Sequence, residues 1–277
     1  MKIMSIDLDV VIDTPEYSVD MKSALDSLQG VSDATRCIAE AVLTERTPQR
    51  QTHKGKVRTT LKQSFKGSYG QIFSLDIHDE ELQKKFRIIG RSVFAELISY
   101  FISESLYKEP GLLSEKAQKI VNRLGETCED LVKQLRVSAL QNIHEVSTKF
   151  NQDLQLRFRK NRYDQTILAR FDRTTAKVLN ASESNEKIDI TISVTRLNIN
   201  TGNGRLLIKG DEETVAFGFG IEYRAVNIKA KKMFSENLDY NNGIDREKWK
   251  FLRVSVVPIT LRDGSVVKYI VKGFYSD

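Results

Sequence analysis

Two cysteines, four prolines, one tryptophan and three histidines are all that this chain of 277 residues holds of those types, and each shortage removes a class of explanation. Cys37 and Cys128 have no partner at metal-ligand spacing, so neither a zinc cluster nor a disulfide framework stands in for a core. Both are expected to be buried and reduced. His53, His78 and His144 form no HxxxH pair and have no cysteine beside them, so no metal and no cofactor is expected. No apolar run approaches the roughly 18 to 20 residues of a membrane span, and no membrane contact is expected. Asp7, Asp9 and Asp13 interrupt the first apolar segment in a way a secretion signal does not tolerate, which makes a cytoplasmic location the expectation. The GxSxG elbow and the Walker lysine are missing too. Gly202-Asn203-Gly204 lacks a following helix and Gly218-Phe219-Gly220 falls inside a strand pattern, so these glycines serve turns and bends rather than phosphates. No catalytic residue can be named, and a role in binding rather than bond-making is expected.

What the chain does have is an ordinary globular balance, 40% hydrophobic and 29% charged residues, and enough length for two domains. Its clearest region is 187–277. Ile188, Ile190, Ile192 and Val194 alternate with polar residues, then Leu197 and Ile199 take the other phase, as they would across a β-bulge near Thr195 and Arg196. Asn200-Thr201-Gly202-Asn203-Gly204 supplies a tight reversal into 205–209. A third strand follows over 214–222, where Gly218 and Gly220 on one face suggest a close approach or a bend. Helical spacing then runs over 227–240, and a last hairpin turns at Arg262-Asp263-Gly264. The order β-β-β-α-β-β with short, kinked strands predicts a C-terminal small β-barrel, SH3-like or OB-like, with one inserted helix.

Residues 1–154 read as an N-terminal α+β domain, a β-sheet with long packed helices, so the whole chain is of the α+β class. A strand over 2–12 leads to a helix capped by Asp20, in which Gly30 calls for a close neighbour. A hairpin over 56–77 turns at Lys66-Gly67-Ser68. Asp79 caps one long helix to about residue 107, Ser114 caps a second, and a third runs over 138–154. Residues 155–186 are polar and Arg-rich and read as a basic connector.

Charge is unevenly spread. The window 46–75 holds seven Lys/Arg and no acid, and 157–177 holds seven against Asp164 and Asp172. Against a chain total of +6, these +7 and +5 windows leave the remainder at −6. The candidate nucleic-acid contacts are therefore Lys54, Lys56, Arg58, Lys62, Lys66, Arg157, Arg159, Lys160 and Arg162, with Phe158, Tyr163 and Phe171 interleaved for base stacking.

Two resemblances rest on short motifs. Ile6-Asp7-Leu8-Asp9-Val10-Val11 resembles the nucleophile motif of haloacid-dehalogenase-type phosphotransferases, which implies a metal-dependent phosphohydrolase using Asp7 and Asp9. That family also needs a Ser/Thr, a Lys and further acids on parallel strands, which the hairpin-rich pattern does not supply. The opening strand, the helix around Ala24-Leu25-Asp26-Ser27-Leu28-Gln29-Gly30, the Lys66-Gly67-Ser68 turn and the hairpin at Leu197-Asn198-Ile199-Asn200-Thr201-Gly202 resemble a group of uncharacterised bacterial two-domain proteins found among mobile-element and anti-phage genes. That resemblance implies a subunit of a bacterial defence complex, with a protein partner or a homo-oligomer. A self-assembling structural scaffold without nucleic acid is the alternative.

Overall fold

The computed structural model describes residues 3–15, 17–48, 55–65 and 68–275. The chain divides into two compact units, 1–106 with 110–179, and 107–109 with 180–277.

The first unit opens with β1 (Met4–Ile12), α1 (Met21–Thr44), β2 (Val57–Phe65) and β3 (Tyr69–Ile77). Helices α2 (Glu80–Ile89), α3 (Arg91–Ser105), α4 (Glu115–Leu124) and α5 (Thr127–Gln134) follow, then a π-helical turn over Leu135–Ala139 and the short α6 (Leu140–Ile143) and α7 (Glu145–Phe150). The unit closes with β4 (Leu154–Arg159), β5 (Gln165–Phe171) and α8 (Arg173–Leu179). Its sheet is antiparallel throughout, in the order β2-β3-β1-β4-β5. Ile6, Leu8, Val10 and Ile12 of β1 join Phe73 and Leu75 of β3 and Leu154, Leu156 and Phe158 of β4 in one core with the helices. That set covers one face of the sheet, so the alternate residues occupy the other.

Three helix starts follow from their capping residues. The carboxylate of Asp20 accepts the Ser23 N–H at 2.9 Å, Asp79 accepts that of Leu82 at 3.0 Å, and the Ser114 hydroxyl accepts that of Ala117 at 3.3 Å. Gly30 is where α1 meets α6, because a Cβ there would lie 2.5 Å from the Ile143 nitrogen and 2.6 Å from the Ala139 carbonyl. Both thiols are free and buried, and burial pushes Cys37 and Cys128 up to about 12.

Three expectations need correction. The long helix expected from Asp79 breaks into α2 and α3 at Gly90, whose φ of 86° lies outside helical space. The third helix ends at Phe150, and a strand begins at Leu154. The basic connector over 155–186 is not a connector, since 154–179 forms β4, β5 and α8 of the first unit. Leu154, Leu156 and Phe158 are buried on the core side while Gln155, Arg157 and Arg159 take the other. A strand placed in the middle of the sheet can afford arginines only on its open face.

The second unit contains β6 (Ser182–Glu183), β7 (Ile188–Leu197), β8 (Gly204–Ile208), β9 (Thr214–Gly218), α9 (Ile228–Asn241), β10 (Leu252–Thr260) and β11 (Val266–Phe274). Pairing runs β7-β8-β9-β11-β10 and returns to β7, which closes a five-stranded barrel, with β9 and β11 parallel and the rest antiparallel. With α9 inserted before the fourth barrel strand, this is the OB arrangement rather than the SH3 one. The bulge expected near Thr195 is the register shift between Val194 and Arg196 opposite β8. Phe234 of α9 packs at 5.4 Å from Phe217 and 5.1 Å from Phe219, closing the barrel core. Two asparagines one turn apart fasten the helix. Asn237 accepts the Val194 N–H at 2.8 Å, and Asn241 donates to the Ser193 hydroxyl while accepting the Lys250 N–H, both at 2.8 Å. The side-chain amides of both also donate to the Lys250 carbonyl, at 2.9 and 2.8 Å.

Candidate nucleic-acid interface on the open face of the sheet

The middle strand β1 sets this site. Asp9 stands on the face away from the helices, directly opposite Arg157 of β4, and it is completely buried. An isolated carboxylate in that position would be strongly unfavourable, so it is compensated twice. Arg157 donates through Nε at 2.6 Å and Nη2 at 3.2 Å, and Arg159 donates through Nη1 at 2.5 Å. Cross-strand and diagonal neighbours thus converge on one anion. The two guanidinium groups also flank an aromatic ring, each 5.7 Å from the centroid of Phe65. Phe65 lies flat there because its cross-strand partner is Gly70, where a Cβ would come within 2.4 Å of the ring.

Around this cluster the surface forms a shallow basin of about 730 Å3. Lys62 reaches it from β2, paired with Asp7 at 3.0 Å, and Lys160 and Arg162 reach it from the β4–β5 turn. In that turn the Asn161 carboxamide oxygen accepts the N–H groups of Tyr163 and Asp164, at 2.8 and 2.9 Å, which fixes the loop shape. Tyr163 projects from it 88% exposed, with the Arg162 guanidinium 5.9 Å from its ring. Five cations face Asp7, the underlying Asp9 and Asp164, which pairs with Lys160 at 3.5 Å, an excess of two positive charges.

The expected contacts separate accordingly. Lys62, Arg157, Arg159, Lys160 and Arg162 come together in the basin. Lys56 pairs at 2.9 Å with Asp79 at the start of α2, and Arg58 donates to the Gly55 carbonyl at 3.1 Å, so neither lines it. Lys54 and Lys66 lie outside the described residues. Of the three aromatic residues expected to stack bases, Phe158 and Phe171 belong to the core on the opposite side, and Tyr163 alone is exposed. Sequence reasoning missed Phe65 and the anchoring part played by Asp9, which acts across 148 and 150 residues of chain.

As for Asp7 and Asp9 as a phosphohydrolase pair, both oxygens of Asp9 already accept from arginines and Asp7 is bound to Lys62. The strands flanking β1 are antiparallel, whereas the resemblance requires parallel ones. Among the described residues no three His, Cys, Asp or Glu side chains gather as metal ligands, and no helix is long and apolar enough to cross a membrane. No family model, curated protein or solved structure matches the chain.

Proposed function

We propose that this protein is a non-enzymatic binding subunit that holds a nucleic acid by its phosphate backbone across the basin of the first unit. The arginine pair anchored on Asp9 carries the reading. A buried acid that fixes two guanidinium groups side by side gives a phosphate preformed donors, without the entropy cost of ordering two long side chains on binding. The side chain of Arg159, 14% exposed, bonds Asp9 through Nη1, and its Nε and Nη2 have no hydrogen-bond partner among the described residues. Tyr163 beside Arg162 gives a stacking surface that suits an unpaired base, so a single strand fits better than a duplex. The resemblance to defence-associated bacterial proteins is consistent with such a subunit.

Binding of a fluorescein-labelled oligonucleotide, read by anisotropy, tests this. A single strand loses affinity with a log–log salt slope of about 0.7 per phosphate contact, so the triple variant Lys62→Glu, Lys160→Glu, Arg162→Glu should weaken binding and flatten the slope by about 2. Binding that ignores both salt and the triple change would reject the reading. A second reading, assembly with a protein, is favoured by an apolar groove of about 260 Å3 between α1 and the edge strand β2, where Leu25 and Leu61 are exposed. A shift in solution mass on Leu61→Lys, with oligonucleotide binding unchanged, would support it.

A further inference from the structure

Residues 107–109 belong to the barrel's unit and lie against its outer face, where Tyr107 meets Arg205 and Lys268. In an OB barrel the faces of the second and third strands, bounded by the first and last hairpin loops, take up oligomeric ligands. Here those strands are β8 and β9, and their outward residues form a short row. Arg205 of β8 pairs with Ala216 of β9, which pairs with Lys268 of β11, so a small residue separates two cations. Gly218, two positions along β9, has no room for a side chain, since a Cβ would meet the Asn203 Oδ1 at 2.6 Å and the Lys268 Cε at 3.3 Å. Ala216 is thus the one small residue between the two cations, while the Asn203 carboxamide and the Lys268 stem cover Gly218.

The segment 107–109 supplies what such a surface would bind. The ring of Tyr107 stacks with the Lys268 ammonium group, 5.4 Å from the ring centroid. The Tyr107 carbonyl accepts from Arg205 Nη1 at 3.2 Å, and the Glu109 carboxylate lies 3.7 Å from Arg205 Nε and accepts the Thr214 hydroxyl at 3.4 Å. Arg205 is held ready by two further bonds, to the Thr214 hydroxyl at 2.8 Å and the Thr214 carbonyl at 2.5 Å. Tyr107 sits at φ 55°, a left-handed conformation unfavourable for a tyrosine, so the contacts hold the backbone where local preference does not.

An aromatic ring over a lysine and a carboxylate beside an arginine reproduce the base and the phosphate of a nucleotide. We propose that the β8–β9–β11 face is a single-stranded nucleic-acid site, separate from the basin, in which Tyr107 and Glu109 stand in for the ligand and lower its affinity. The proposal does not rest on the basin, which involves none of these residues.

The test uses the full chain with the exposed basin cations already reversed (Lys62→Glu, Lys160→Glu, Arg162→Glu), and a labelled deoxythymidylate oligomer of about 15 nucleotides as probe. Adding Tyr107→Gly and Glu109→Ser, which removes the ring, the carboxylate and the backbone conflict, should tighten binding about tenfold or more. Lys268→Ala should then abolish the gain. Glu109→Gln alone, a change at an exposed position that leaves the fold intact, should give a gain of a few fold and keeps the test decisive if the double change unfolds the barrel. No gain in either variant, a gain indifferent to Lys268→Ala, or an equal gain for a neutral oligosaccharide would overturn the proposal. Loss of wild-type binding on reversing the basin cations reports on the basin alone, so the two readings fail separately.

Discussion

The two β-structures of this chain manage their exposed surfaces in opposite ways. The sheet of the first unit buries one face under helices and leaves the other open, so the open face must carry polar groups on central strands. It does so by placing an acid in the middle and covering it with arginines from the neighbouring strand. The barrel of the second unit closes on itself, seals its core with Phe234, and has part of its outer face met by 107–109. An open sheet therefore presents charge fixed by a partner beneath it, while a closed barrel presents small residues and covers them. The lesson is that a wholly antiparallel open sheet and a barrel closed by one parallel pair expose their outward cations differently, depending on whether the sheet has a second face to fill.

The sharpest way to break this contrast is Asp9→Ala. It leaves two mostly buried arginines without their anion and should cost about 3–5 kcal/mol in urea unfolding, whereas Asp7→Asn, which removes an exposed pair, should cost less than about 1 kcal/mol. Equal effects would mean that Asp9 is not the anchor of the open face. Next in size is Asn237→Ala in the barrel, which strands the Val194 N–H at the bulge and should cost about 1–3 kcal/mol, visible as a lower denaturation midpoint. Gly30→Ala, set against backbone atoms of the π turn and α6, should cost about 1–3 kcal/mol by overpacking, with no change in oligonucleotide binding.

The smallest expected effect is that of acid. Hydrogen bonds from Ser23 hold Asp20 below its ordinary value, the Lys56 ammonium group and the Leu82 N–H do the same for Asp79, and the Tyr275 hydroxyl does so for Asp189 in the barrel. A depressed carboxylate contributes stability that is present above its unfolded value, near 3.9, and disappears as the pH falls through the lower folded value. Asp20 and Asp189 are exposed and Asp79 is half-buried, so stability should decline only gently from about pH 4 downward. Unfolding midpoints across that range that rose with acidification would contradict the sign.

How far the chain announced all this depended on distance along it. Asp20, Asp79 and Ser114 cap the residues three places on, and such local chemistry is visible in order of sequence. Gly30 and the slip at Thr195 were legible for the same reason, since each breaks a local pattern that only a neighbour or a bulge explains. The strands β4 and β5 were hidden because just three apolar residues, Leu154, Leu156 and Phe158, carry the alternation of β4 amid arginines that resemble a linker. Gly90 escaped notice because the apolar stripe continues across it. The basin itself was half legible: clustered cations showed in composition, but which of them meet depends on β1 lying between β3 and β4, a pairing no window of sequence contains.

The visit of 107–109 to the second unit has a practical corollary for anyone dissecting the protein. A fragment beginning at residue 180 would omit three residues that the barrel counts as its own, and a fragment ending at 179 would retain them without their partners. The Arg205–Tyr107 bond also spans 98 residues, so the barrel acquires its finished exterior only when chain made early in synthesis meets chain made late. Single-site truncation would therefore report on an altered molecule, and replacing side chains within the intact polypeptide is the cleaner dissection.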